Sequence, residues 1–313
     1  MYRFILRRIG QSVVVLFIVS ILIFSMMRWI PGDPVVVLLG DEYSPEAHAR
    51  LKQQLGLDKP IVMQYLIWVR NLFQGEFGYS YINHTPVSAL LFDAMLPTLS
   101  LVISTMIVGV LIALPSGMLA AVKRDSPLDY FSMGFAIVGY SMPSFWKGIL
   151  LIWLFAVTLG WFPSMGYVHP WEDPAAGLWR LALPALTLGT FFAGLVARIT
   201  RSSLLEVLEQ DYIKAARAKG VRQLALVYKH ALRNALIPVI TVIGLQFGTL
   251  LGGAVLTETV FNIPGMGRLT VTAIFNREYH VVQGAVLIGV VFVIGVNLLV
   301  DIAYGFLNPK IRY

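Results

Sequence analysis

The sequence predicts an all-α membrane protein: six transmembrane helices, a helical extracytoplasmic insertion after the first span, and a cytosolic helix between spans four and five. Three observations predict it. The 313 residues are 57% hydrophobic and only 13% charged, with a mean hydropathy of +0.74, whereas soluble domains carry about 25% charge. Six stretches are apolar enough to cross ~30 Å of hydrocarbon, which takes about 20 helical residues. Basic residues gather in alternate connections, the pattern of a chain threaded through a bilayer. Length alone suggests two soluble domains, so composition overrides it.

The chain opens Met1-Tyr-Arg-Phe-Ile-Leu-Arg-Arg8, and Ile9 to Met27 carries no charge. The basic start resembles a signal peptide. The apolar run is too long for one and lacks a small-residue cleavage site, so it is expected to remain as the first span, Ile9 to Ile30. Residues 31–96 form the long outer insertion. Ser44-Pro45-Glu46 reads as a helix start and Gly56 as its stop. A second helix is expected after Asp58, with Ile61, Tyr65, Trp68 and Leu72 on one stripe that lies on the membrane or packs on other outer segments. Thr85-Pro86 is expected to start a third short helix.

Residues 97–313 hold the remaining five spans. The second is Pro97 to Val122. The third lies within Tyr130 to Gly160, longer than one crossing needs, and Pro143 is expected to kink it. The fourth runs from Leu181 to about Leu205, with its charge-free part ending at Ala197. The fifth is Ala235 to Leu256 and the sixth Val281 to Phe306. With a cytosolic N-terminus, one side collects Arg3, Arg7, Arg8, Lys123, Arg124, eight basic residues from Arg198 to Arg233, Lys310 and Arg312. The short outer loops hold few: Arg180, Arg268 and Arg277. This bias sets the orientation and accounts for much of the net charge of +7 without nucleic acid as a partner. Both termini are then cytosolic.

Enzyme chemistry finds little support. There is no phosphate-cradling G-x-x-x-x-G-K-[ST] loop, no H-E-x-x-H and no G-x-S-x-G. His48, His84, His169, His230 and His280 are scattered without metal-ligand spacing. The chain has no cysteine, which excludes disulfides and thiolate metal sites. No catalytic, cofactor-binding or metal residue is expected.

Three other constellations stand out. Gly244, Gly248 and Gly252 lie on one face of the fifth span, which lets another backbone approach. That face packs within the chain, or forms a seam against a partner subunit or a transport path. Gln246 lies off it and is expected to face a polar cavity. Lys147 sits four residues after Pro143 in the third span. It either snorkels to an interface or faces a water-filled path where its ammonium meets a substrate carboxylate. Asn297 and Asp301, late in the sixth span, are weaker cases.

The third constellation is the loop 206–234. Glu206, Glu209 and Gln210 carry the fourth helix into the cytosol. Asp211 is expected to cap a short helix from Tyr212 to Lys219, whose basic C-terminal end suits the helix dipole. Gly220 ends it in the left-handed conformation. A second helix starts near Arg222 and leads through His230, Arg233 and Asn234 into the fifth span. Anionic lipid headgroups would attract such a loop, and a plain solvated connector would also tolerate its composition. The small side chains of Ala215 and Ala216 beside a terminating glycine suit insertion into a protein groove.

Tyr212-Ile-Lys-Ala-Ala-Arg-Ala-Lys-Gly220, followed by His230-Ala-Leu-Arg-Asn234 and Pro238, resembles the coupling-loop signature of inner-membrane permeases of the dipeptide/oligopeptide/nickel ABC importer family. The resemblance covers the whole chain. Arg7-Arg8 with Pro31-Gly-Asp-Pro34, Leu55-Gly-Leu-Asp58, Ser141-Met-Pro-Ser-Phe-Trp146 and Leu183-Pro184 fit it. So do Gly244-Leu-Gln-Phe-Gly248, Phe261-Asn-Ile-Pro-Gly-Met-Gly267 and Asn308-Pro-Lys-Ile-Arg312. One departure is Lys214, where the general importer loop has Glu before Ala-Ala.

The resemblance implies a multi-pass subunit of the bacterial inner (plasma) membrane, with 1–30 as the cytosolic N-terminus and first span, 31–96 as the insertion, and 97–313 as a transport core with coupling loop 206–234. It implies a second homologous permease, two ATPase subunits that bind ATP and Mg, an extracytoplasmic solute-binding protein, and surrounding membrane lipids. No cofactor would reside in this chain. Tyr212, Ala215, Ala216, Gly220, His230 and Asn234 would engage an ATPase. Gly244, Gln246, Gly248 and Gly252 would pack helices or line the path. Lys147 would contact substrate, and Asn262, Pro264, Gly265 and Gly267 would form an outer gate or dock. The cargo would be a short peptide or peptide-like solute, with a nickel chelate as the alternative. A stand-alone channel or secondary transporter is the competing class; it would show an inverted repeat or intramembrane charged pair.

Overall fold

A computed structural model describes residues 2–29, 33–39, 43–54 and 56–307. The motif residues Pro31, Gly32, Leu55 and 308–312, and the side chain of Asp301, lie outside the described residues. Five helices are long and apolar enough to cross a membrane, or six if one bent pair counts as a single span. The helical elements are α1 (Tyr2–Trp29), α2 (Pro34–Leu39), α3 (Pro45–Gln54), α4 (Ile61–Phe73), α5 (Val87–Val122), α6 (Pro127–Ser141), α7 (Ser144–Leu151), α8 (Pro174–Leu208), α9 (Asp211–Ala218), α10 (Gln223–Ala225), α11 (Leu232–Val260), α12 (Met266–Phe275) and α13 (Tyr279–Leu307). Wider π-type turns extend α7 over Ile152–Thr158 and join α10 to α11 over Leu226–Ala231.

Two elements differ from expectation. Thr85-Pro86 does not start a separate helix. It forms a two-residue strand β2 (Thr85–Pro86) paired antiparallel with β1 (Tyr79–Ser80). The helix beginning at Val87 then runs unbroken to Val122 through Pro97 and Pro115. The expected short helix and second span are therefore one element. A membrane helix tolerates the donor lost at each proline when its surroundings re-satisfy the freed group. In the third span the expected kink is a break. α6 and α7 meet at 107°, and Met142, before Pro143, is extended at φ −73°, ψ 133°. Proline clashes with a helical predecessor, so the residue before it takes extended backbone.

The chain divides into two compact units. One holds Pro97–Pro264 with Gly295–Tyr313, the other Tyr2–Leu96 with Gly265–Ile294. In the first, α8 is the central helix: 61% of its most apolar window is buried, against 33% or less for the other four long helices. Phe192 and Val196 of α8 join Leu101, Val239, Leu250, Phe261 and Ile263 in its main core. A smaller core gathers Ala121, Leu204, Ile213, Leu226, Ala231 and Ala235.

In the second unit Val87, Leu91, Ala273, Val281, Val282 and Ala285 form the core. Glu278 holds the short β turn, accepting from Ser80 Oγ at 2.5 Å. The insertion's stripe packs on the first span. The Phe24 ring of α1 lies 5.2 Å from Tyr65 and 5.7 Å from Trp68, and Ser20 Oγ meets the Tyr65 hydroxyl at 2.8 Å. Ile61 remains exposed. Ser44 caps α3 as expected, accepting from Ala47 N at 3.1 Å. A ring nitrogen of His48 reaches Asp33 at 2.8 Å. Burial opposes ionisation of Asp33, yet the His48 ring and the Val35 N–H outweigh it and hold the carboxyl below its ordinary range.

Candidate functional site

Only Glu209 and Gln210 separate α8 from α9. Gln210, not Asp211, occupies the capping position, in extended backbone and without a side-chain capping bond. Asp211 is the first helical residue, where its charge still favours the helix N-terminus, and Lys214 Nζ donates to it at 3.1 Å. The stop is as expected. Gly220 has φ +82°. Its N–H donates to Arg217 O at 3.0 Å and that of Val221 to Ala216 O at 3.3 Å. These two bonds satisfy carbonyls that a helix end otherwise leaves open, and the residue between them needs left-handed backbone.

His230 and Asn234, about twenty residues on, both reach Tyr212 of α9. Asn234 Nδ2 donates to the Tyr212 hydroxyl at 2.8 Å, and that hydroxyl donates to the His230 carbonyl at 3.4 Å. Below them Ile213 is fully buried in the smaller core with Leu204, Leu226 and Ala235. The helix is seated on its own chain by one side. Ala215 and Gly220 are exposed and Ala216 is half-buried, so its outward side presents little bulk beside Lys214, Arg217 and Lys219. Ile213 is not among the residues the sequence singles out. The apolar position between Tyr212 and Lys214 was its one signal.

Lys147 is buried, and neither expectation describes its contacts. Its Nζ donates to the Gly139 carbonyl at 2.7 Å and to Thr190 Oγ1 at 2.9 Å. Gly139 is four residues before Pro143, so its carbonyl has no N–H to accept from along the helix. The lysine supplies a donor there. The same two helices are joined elsewhere. Arg201 of α8 forks onto Asp129 of α6, Nε to Oδ1 at 2.7 Å and the far guanidinium nitrogen to Oδ2 at 2.6 Å. A Cβ on Gly194 of α8 would fall 2.3 Å from the Ala136 carbonyl of α6. These contacts pair α6 and α8 antiparallel. The sequence reading did not find the Asp129–Arg201 pair. Its signal was Ser126-Pro127, a helix start with an acid two residues on; Ser126 Oγ accepts from Asp129 N.

A second acid inside a span also escaped notice. Glu258 is fully buried near the end of α11, and Thr98 Oγ1 donates to it at 2.5 Å. An apolar span that ends at Leu256 leaves it outside, whereas the helix continues to Val260.

The glycine stripe splits. Gly244 is buried, and a Cβ there would lie 2.2 Å from Val300 Cγ2. Gly248 and Gln246 are half-buried, while Gly252 is exposed with nothing within 4 Å of such a Cβ. After α11 the chain turns at Asn262, φ +55°. Asn262 N donates to Thr259 O at 3.4 Å and Ile263 N to Glu258 O at 2.8 Å, the same stop as at Gly220. Phe261 and Ile263 point in and are buried; Asn262 and Pro264 are exposed. Gly265 is buried and precedes α12, and Gly267 is half-buried in its first turn. Among the described residues no group of three or more His, Cys, Asp or Glu is placed to hold a metal.

Comparison with known proteins gives a consistent result. Residues 113–313 match the family described as binding-protein-dependent transport system inner membrane component. Residues 1–102 match its companion, the N-terminal part of such membrane components. A putative peptide transport system permease protein of Brucella abortus is 45% identical over all of both chains. The dipeptide transport system permease protein DppB of Escherichia coli K12 is 43% identical, covering 100% of this chain and 99% of that one. Among solved structures, a chain of the inward-facing MetNI methionine ABC transporter superposes with a TM-score of 0.58 at 22% identity, over 70% of this chain and 96% of that one. That likeness speaks to the fold.

Proposed function

Because this chain belongs to the family of binding-protein-dependent transport system inner membrane components, we propose that it forms half of the translocation path of an ABC importer for short peptides. Its full-length relatives are named peptide and dipeptide permeases, which supports that cargo. It is a multi-pass membrane subunit and a transport subunit rather than an enzyme. A second, homologous permease completes the path, two ATPase subunits bind ATP and Mg, and an extracytoplasmic binding protein delivers the solute. Both termini face the cytosol, as the distribution of Lys and Arg argues.

The observation that carries the reading is the seat of α9. Ile213 and the Tyr212–Asn234–His230 contacts hold one side of the helix to the chain. Ala215, Ala216 and Gly220 leave the other side low enough to enter a groove of an ATPase. ATP-driven closure of the ATPases would push α9 as a rigid body and, through α8, switch the access of the path. Asn262, held between buried Phe261 and Ile263, and the exposed Pro264 that follows are candidates for the outer dock.

The test is reconstitution of the complete transporter in vesicles. Gly220→Pro removes the N–H that donates to Arg217 and cannot adopt φ +82°. It is expected to abolish ATP-driven uptake and to weaken co-purification of the ATPases. Uptake and co-purification at wild-type levels would show that α9 is not the coupling element.

A further inference from the structure

Arg198 of α8 differs from the charges that are paired within its compact unit. Asp129 and Arg201 neutralise each other, Lys147 is capped by two oxygens, and Glu258 accepts from Thr98. Arg198 is exposed and, among the described residues, makes no hydrogen bond or ion pair. Its guanidinium instead lies over the ring of Tyr140, 5.1 Å from the centroid. Tyr140 stacks on Phe191 with centroids 4.8 Å apart and planes 12° apart. Gly194 makes room for it, since a Cβ there would meet Tyr140 Cβ at 2.9 Å.

The direction of this side chain matters. By charge pattern Arg198 begins the basic cytosolic stretch. A side chain serving that stretch, or a lipid headgroup, would extend toward the helix C-terminus and the surface. Arg198 extends the other way. Phe191 lies two turns closer to the N-terminus of α8, about 10 Å along the axis, and Tyr140 is three residues from the Pro143 break inside the third span. The cation is thus drawn back over an aromatic shelf, away from the basic stretch that follows it. An arginine facing lipid hydrocarbon is strongly disfavoured. The ring face offsets part of that cost and leaves the guanidinium's N–H edges free to bind.

We propose that Arg198 on its Tyr140–Phe191 shelf is a binding residue for a carboxylate on the passing solute, such as a peptide C-terminus. A planar guanidinium takes a carboxylate through two parallel N–H···O bonds. The Tyr140 ring beneath it holds the cation in place beforehand. This inference rests on the peptide-import reading and names the group of the solute that the membrane subunit itself recognises.

The complete transporter in proteoliposomes tests it. Uptake is measured for a dipeptide with a free C-terminus and for its C-terminal amide, each as a rate per loaded binding protein at saturation. Arg198→Gln is expected to lower the ratio of free-acid to amide rates about tenfold, the worth of a charge-assisted bond. Arg198→Lys should restore part of it. An unchanged ratio in Arg198→Gln, or equal slowing of both peptides, overturns the proposal. A defect that follows the phosphatidylglycerol content of the vesicles and not the peptide terminus assigns Arg198 to lipid and overturns it too. If the wild-type transporter imports neither peptide, the peptide reading fails first and the proposal falls with it.

Discussion

The Nζ of Lys147 donates at 2.7 Å to the carbonyl of Gly139, the carbonyl that Pro143 leaves without an intrahelical donor. One residue breaks the third span and another, four positions later, satisfies what the break exposes. A buried carbonyl without a partner costs about 1–3 kcal/mol, so the break is stable because the lysine is there. Its second bond, to Thr190 at 2.9 Å, ties the broken span to α8.

Lys147→Met should therefore destabilise the subunit by about 2 kcal/mol, seen as a lower thermal midpoint of the purified transporter. Because both acceptors belong to this chain, uptake should fall equally for anionic and neutral solutes. A loss confined to anionic solutes would move Lys147 into the path.

Breaking the Asp129–Arg201 fork should be costly from either side. Asp129 is buried, and removal of one partner of a buried pair costs about 3–5 kcal/mol; Arg201 keeps some exposure, which places the effect near the lower end. Asp129→Ala, Arg201→Ala and the double variant form a thermodynamic cycle. The double variant should lose clearly less than the sum of the singles.

The two ends of the glycine stripe should respond differently. Gly244→Ala sets a methyl against Val300 and should cost about 1–3 kcal/mol by overpacking. Gly252→Ala meets open space and should leave the isolated chain as stable as before, or slightly more so through helix propensity. Size-exclusion profiles of the single subunit separate the two. Any effect of Gly252→Ala should show in assembly with other subunits.

The seat of α9 has a large and a small component. Ile213→Ala should cost about 3 kcal/mol, as for a large-to-small change in a packed core. Tyr212→Phe removes only the hydroxyl shared by Asn234 and His230 and should cost about 1 kcal/mol. Its reach is local. Amide exchange in α9 should accelerate while the thermal midpoint holds, and ATPase activity should continue with reduced uptake.

Much of this architecture was legible in the sequence because it depends on runs and single residues. Apolar length marked the spans, and Gly220 marked the stop of α9 because left-handed backbone selects glycine. The same stop at Asn262 was less visible, since asparagine tolerates that conformation without requiring it. The contacts that join elements were not legible. Lys147 reads as a charge in an apolar run, and nothing local says that it reaches back to Gly139 and across to Thr190. Asp129 and Arg201 lie 72 residues apart, and Tyr212 and Asn234 lie 22 apart. Pairings at such separations are set by how helices pack. The continuous α5 was obscured because Pro97, a strong local stop in soluble proteins, is carried inside a membrane helix.

The two-residue link between α8 and α9 has a mechanical consequence. With only Glu209 and Gln210 between them, and with Ile213 buried against Leu204, there is little slack in which a stroke could be absorbed. If α9 is the coupling element, force applied there would enter α8 almost undamped. The Asp129–Arg201 fork and the Lys147–Thr190 bond would then oblige the broken third span to share the load. Such a joint would act less as a flexible tether than as a stiff crank, and lengthening it by a few glycines should uncouple fuel from motion while leaving every contact in the spans in place.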